Sequence, residues 1–138
     1  IKDPTLAVST PWAYRRSKEL RGKGYLNSES DFECRRQLLR QQSWLSPLRS
    51  SQPPPLKNDL QKVVAPEIPT VMKALKLLSD LPGTLGVSMS GSGPSCFALY
   101  STYEEAEQAL GSCRMKLESA GFKSWCCSFQ PEGVRIAL

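Results

Sequence analysis

A chain of 138 residues, 40% of them apolar, can bury roughly two-thirds of the surface its unfolded form exposes, and no apolar run approaches the roughly 18 residues of a membrane span. The absence of histidine removes imidazole from the available bases and ligands, which argues against Ser-His-Asp chemistry and against a metal site on this chain. The net charge of +5 arises entirely in residues 1–50, where ten Lys or Arg face five Asp or Glu, while residues 51–138 hold eight of each.

A nucleic-acid surface would interleave such a basic stretch with stacking aromatics in a recognisable reading motif. Trp12, Tyr14, Tyr25 and Trp44 lie near it without one. The stretch reads as a solvated basic face with some attraction for anionic ligands, with neither nucleic acid nor membrane as partner. The five cysteines, Cys34, Cys96, Cys113, Cys126 and Cys127, are odd in number and show no C-x-x-C spacing. They read as buried, reduced thiols of a cytoplasmic protein. The opening IKDPTLAV has neither a basic n-region nor a small-residue cleavage site, so it is not expected to be a secretory signal, and the start of the protein is expected to lie upstream of Ile1.

In chain order, Thr10-Pro11 predicts a helix opening, with a hydroxyl cap followed by proline, and the basic RRSKELR run continues it until Gly22 and Gly24. Residues 22–55 are serine-rich and polar, and read as an insertion packed on one face, with CRRQLLRQQSWL as one short helix. Asn58-Asp59-Leu60-Gln61 is a capping pattern, Asn58 as the cap with Gln61 three residues on, for a short LQKVVA helix stopped at Pro66. Ile68, Val71, Leu75 and Leu78 recur at helical spacing up to the stop at Leu81-Pro82-Gly83. TLGVSM and SCFALY then read as two buried strands. Ala106, Leu110, Cys113, Leu117 and Ala120 line a helix from about Tyr103 to Ala120. KSWCCSF and VRIAL read as a further strand pair about a turn at Gln130-Pro131-Glu132-Gly133. Helices returning to one face of an antiparallel sheet make an α+β fold, close to a ferredoxin-like arrangement.

The connection between TLGVSM and SCFALY is built from Ser90, Gly91, Ser92 and Gly93. Four backbone N–H groups leave the ladder there, and two glycines permit left-handed dihedrals that turn successive N–H groups into one concavity, a shape that binds anions. A plain flexible hairpin explains the same residues. The dinucleotide fingerprint is not met, because no third glycine follows and a strand comes next, and no Gly-Lys-Ser/Thr completes a Walker loop.

GVSMSGSGPSCFALY, with Asn58-Asp59-Leu60 upstream and the EEAEQA helix after it, resembles the third conserved motif of the GHMP kinases, the family of galactokinase, homoserine, mevalonate and phosphomevalonate kinases. The resemblance extends through Leu6–Tyr14 over nearly the whole chain and is weakest in the 22–55 insertion. It implies that residues 1–138 are the C-terminal domain of an ATP-dependent kinase acting on a hydroxyl of a nucleotide diphosphate-linked alcohol, with ATP and Mg²⁺ as cofactors. It also implies that the P-x-x-x-G-L-G-S-S loop and the catalytic lysine and aspartate belong to an N-terminal domain. Neither catalytic role passes to Lys2, Asp3 or Asp59, and the isolated chain is expected to be inactive. By the same resemblance, Ser90, Gly91, Ser92 and Gly93 would brace the ATP phosphate loop and approach the substrate diphosphate. Thr10 is either a phosphate contact at its helix N-terminus or a simple cap. Asn58 and Asp59 match a family motif and are also accounted for as a cap and a first-turn acid. Another GHMP kinase, or a metabolite-binding module without chemistry, remains a competing reading.

Overall fold

The computed structural model describes residues 1–21, 28–41 and 56–130. The elements are α1 (Thr10–Arg21), α2 (Glu29–Gln41), α3 (Gln61–Glu67), α4 (Pro69–Ser79), β1 (Gly86–Met89), β2 (Cys96–Leu99) and α5 (Tyr103–Ser119). The α+β class is as expected. The ferredoxin-like layout is not established, since the described residues hold one two-stranded antiparallel sheet, with Gly86 opposite Leu99 and Met89 opposite Cys96.

Period-2 alternation sends Val87, Met89, Cys96 and Ala98 to one face of this hairpin. There they meet Ala13 of α1, Val64 of α3, Val71, Ala74 and Leu78 of α4, and Cys113 and Leu117 of α5 in a single cluster. Met89, Leu117, Val64, Val71 and Cys96 are its largest fully buried members. Four helices are thereby fixed on one side of one short sheet.

The helix ends show where local chemistry prevailed. Ser9, not Thr10, caps α1: its carbonyl accepts from Ala13 N at 3.0 Å and its hydroxyl from Trp12 N at 3.4 Å. Pro66 does not stop α3 but sits inside it. The break falls two residues later, where Ile68 turns extended and Pro69 opens α4. Thr102 caps α5 by accepting from Glu105 N at 3.2 Å. In the insertion, α2 begins at Glu29, ahead of the expected CRRQLLRQQSWL, and the flanks 22–27 and 42–55 lie outside the described residues.

Lys123, at the start of KSWCCSF, makes a bridge to Lys2, and VRIAL, the strand expected to pair with KSWCCSF, lies outside the described residues. All five cysteines are free, but Cys34 and Cys127 are exposed rather than buried. Burial pushes the Cys96 thiol up to about 11.

Leu117 is 1% exposed, so Leu117→Ala should cost about 2–5 kcal/mol, read from the urea midpoint at an unchanged m-value; a loss below about 1 kcal/mol would contradict the central place given to this cluster.

Candidate functional site

The Gly/Ser connection is a hydrogen-bonded turn, held from the residues at the start of α3. Asn58 lies three residues ahead of α3, whose N-cap position is Leu60 rather than the expected Asn58, and its Oδ1 accepts from Leu60 N at 3.0 Å and Gln61 N at 3.3 Å in the turn that opens the helix. Its Nδ2 donates to the carbonyls of Met89 at 2.6 Å and Gly91 at 2.8 Å. Gln61 does not return to Asn58 as a capping box requires. Its Oε1 accepts from Met89 N at 2.7 Å and from the Ser88 hydroxyl at 3.1 Å. Two amides across one helix opening thus hold the end of β1 and the first half of the loop.

Inside the loop, Ser90 N donates to Ser95 O at 2.8 Å and Gly93 N to Ser90 O at 2.9 Å. The expectation of four free N–H groups is therefore corrected to two, those of Gly91 and Ser92, which have no partner among the described residues. Gly91 has φ +55° and Gly93 φ +82°, a region that L side chains enter at a cost of about 1–2 kcal/mol. Space separates the two: a Cβ on Gly91 would meet nothing within 4 Å, whereas one on Gly93 would lie 2.8 Å from Met89 Sδ.

Thr10 lies 82 residues away in sequence, yet its Oγ1 is 2.7 Å from Ser92 Oγ. The N-terminus of α1 is thereby set against the loop. Pro11 has no N–H and Trp12 N is taken by Ser9. One of the two hydroxyls, Thr10 Oγ1 or Ser92 Oγ, donates to the other and leaves a single O–H to point outward, and with the unpartnered amides of Gly91 and Ser92 it is a donor type that suits an anionic oxygen.

A cleft of about 990 Å³ opens beside the loop, lined by Tyr14, Arg15, Lys18 and Lys57 among others, and by Ser90 and Gly91. Asp59 also lines it, in an ion pair with Arg21 at 2.6 Å. The hydrogen bond from Arg21 holds the Asp59 carboxyl below its usual range, with the nearby Lys57 and Lys62 adding to the effect. The structure brings Thr10, Ser90, Gly91, Ser92, Gly93 and Asn58 together, and leaves Asp59 to the wall of the cleft.

Sequence reasoning missed Gln61 as a loop anchor and Tyr14 and Lys18 as cleft residues. The spacing 10, 14, 18 places Thr10, Tyr14 and Lys18 on one helical face, a signal that was there to be read. Gln61 gave none, because a capping glutamine and a strand-clamping one look alike in sequence. Among the described residues no set of three acidic, cysteine or histidine side chains could hold a metal ion, and no helix is long and apolar enough to cross a membrane.

Comparison with known proteins adds a family. Residues 28–117 match the family model described as GHMP kinases C terminal. The chain is 59% identical over 136 residues to the 4-diphosphocytidyl-2-C-methyl-D-erythritol kinase of Prochlorococcus marinus (strain MIT 9313), covering 99% of this chain and 43% of that protein. It is 56% identical over 137 residues to the protein of the same name from Synechococcus sp. (strain CC9902), covering 99% of this chain and 45% of that one. The chain therefore spans less than half the length of these curated relatives. No solved structure matches the chain.

Asn58→Asp keeps the acceptor for the turn but sets a carboxylate against two carbonyls, and should cost about 1–3 kcal/mol near neutral pH. The deficit should narrow on acidification, because a carboxyl held against acceptors has a raised pKa and donates again below it. An unchanged thermal midpoint at neutral pH would remove the clamp from the account. Gly93→Ala should destabilise more than Gly91→Ala, and Gly91→Asn should be close to neutral; equal losses at 93 and 91 would show that the Met89 contact does not matter.

Proposed function

The chain belongs to the GHMP kinase C-terminal family, and on that premise we propose that it is the C-terminal domain of a 4-diphosphocytidyl-2-C-methyl-D-erythritol kinase. The complete protein moves the γ-phosphoryl of ATP to the 2-hydroxyl of the diphosphocytidyl methylerythritol, a step of the non-mevalonate isoprenoid route. The observation that carries this reading is the meeting of Thr10 and Ser92 at 2.7 Å, beside two free loop amides. Separated stretches of sequence converge there on one place able to hold a phosphate, in a chain whose relatives carry that enzyme's name.

In phosphoryl transfer the protein mainly positions the reactants and neutralises charge. Here Gly91 N, Ser92 N and whichever of the Thr10 and Ser92 hydroxyls keeps its O–H free would hold non-transferred phosphate oxygens of ATP or of the substrate's diphosphate. Asn58 and Gln61 would keep those donors from moving as charge shifts. Arg15, Lys18 and Lys57 along the cleft supply a field that attracts two polyanions. Tyr14, 63% exposed, offers a ring face to a base. Mg²⁺ would accompany the ATP, with no ligand assigned to it on this chain. The groups that activate the hydroxyl belong to the rest of the protein, so residues 1–138 alone have no kinase activity.

The complete gene product, given ATP, Mg²⁺ and the diphosphocytidyl methylerythritol, should form the 2-phosphate. Thr10→Ala with Ser92→Ala, both exposed polar side chains that pair only with each other, should lower kcat/KM by roughly tenfold or more while the protein stays folded, since a hydrogen bond to a charged group contributes about 1.5–3 kcal/mol. A folded wild type that leaves this substrate untouched and phosphorylates homoserine or mevalonate would move the assignment within the family; one that turns over no alcohol would refute it.

A further inference from the structure

α1 packs chiefly along α3, and its hold there is uneven. Its buried residues are Ala13 and Ser17, both small, and the one bulky side chain it lays against the core, Trp12, stands next to Ala13 in the first turn. Apolar burial therefore fixes α1 near its start and contributes little beyond it.

The rest of the helix is held by charge. Arg16 pairs with Glu67, the last residue of α3, at 2.6 Å, and Arg21, the last residue of α1, pairs with Asp59, just ahead of α3, at 2.6 Å. The side chains of the first pair are 40% and 37% exposed and those of the second 24% and 30%, so solvent screens the first pair more. Arg21 also has the longer arm. At about 1.5 Å per residue it lies roughly 12 Å from Ala13 along the helix axis, while Thr10 lies roughly 4.5 Å away on the other side. A helix turning about Ala13 thus moves Thr10 by about 1 Å for every 3 Å or so at Arg21. Thr10 Oγ1 is 2.7 Å from Ser92 Oγ, and about 1 Å more takes that pair out of hydrogen-bond range.

We propose that Asp59 is a positioning residue, which through Arg21 sets the far end of α1 and thereby holds Thr10 against Ser92 at the near end. Neighbouring residues then divide the site between them. Asn58 holds the loop by the carbonyls of Met89 and Gly91, and Asp59 holds the helix that meets the loop. Arg21 and Asp59 line the same cleft as Ser90 and Gly91, so its walls are tied at the Thr10 end and again at the Arg21 end. The effect on turnover rests on the phosphate reading of Thr10; the effect on the Thr10–Ser92 contact does not.

The test takes the complete gene product. By NMR, the contact between the Thr10 methyl group and Ser92 should be lost in Asp59→Ala and kept in Asp59→Glu, with Ala13 still in the core in both. A contact that survives Asp59→Ala would overturn the proposal, whatever the protein turns over. In kinetics, Asp59→Ala should lower kcat/KM roughly tenfold in the native protein. The loss should be less than about twofold when Thr10→Ala and Ser92→Ala are already present, because the contact that Asp59 supports is then gone. Equal losses in the two backgrounds would give Asp59 a role apart from Thr10 and would overturn the proposal as well. A native protein inactive on every alcohol would count against the kinase reading alone, and the NMR result would still decide this one.

Discussion

The two bonds from the Asn58 amide to the carbonyls of Met89 and Gly91 hold the candidate site in shape. An amide has a donor end and an acceptor end, and here the acceptor holds the turn that opens α3 while the donor fixes the loop. The helix and the loop are consequently set by the same planar group, and neither can shift without the other. Gln61 repeats the arrangement one turn on, from the helix to β1. Hydrogen bonds of this kind contribute about 1 kcal/mol each, but their value lies in direction: they determine which way Gly91 and Ser92 point their N–H groups.

The rest of the fold serves that placement. β1 and β2 are only four residues each, too little for an independent hairpin in water. They are held by burying Met89 and Cys96 under α4 and by the helices around them. Gly93 passes so close to Met89 that a side chain there would press on the core. The loop is small on this side because it abuts packed atoms, and small at Gly91 because the backbone turns left-handed in the open. The same letter in the sequence answers two different demands.

Helix positions were legible because apolar spacing reports a buried face wherever that face is continuous, and α4, α5 and the two strands carry such spacing. Caps were less legible: Ser9 and Thr10 are both good caps, and only the meeting of Thr10 with Ser92 explains why the first was used. Pro66 shows the limit of a local rule, since a proline early in a short helix removes little that the helix needs. The loop residues and Asn58 were found from sequence, the first by their glycines and the second by its capping context. What escaped was every relation between distant segments. Gln61 against Ser88, and Tyr14 and Lys18 against Lys57, exist only once α1, α3 and β1 have been packed together, and a single sequence does not record that packing.

The bonds from Ile1 to Cys96 and from Lys2 to Lys123 bear on how the protein is made. A ribosome releases the chain from its first residue onward, so Lys2 emerges 121 positions before the residue it pairs with. At about 5–20 residues per second that is a wait of roughly 6 to 24 s. The local helices α3 to α5 and the β1–β2 hairpin can form during that time, whereas the bridge from Lys2 waits for Lys123 to emerge. A nascent chain stalled before Lys123 would therefore have its hairpin paired and Lys2 still without its partner.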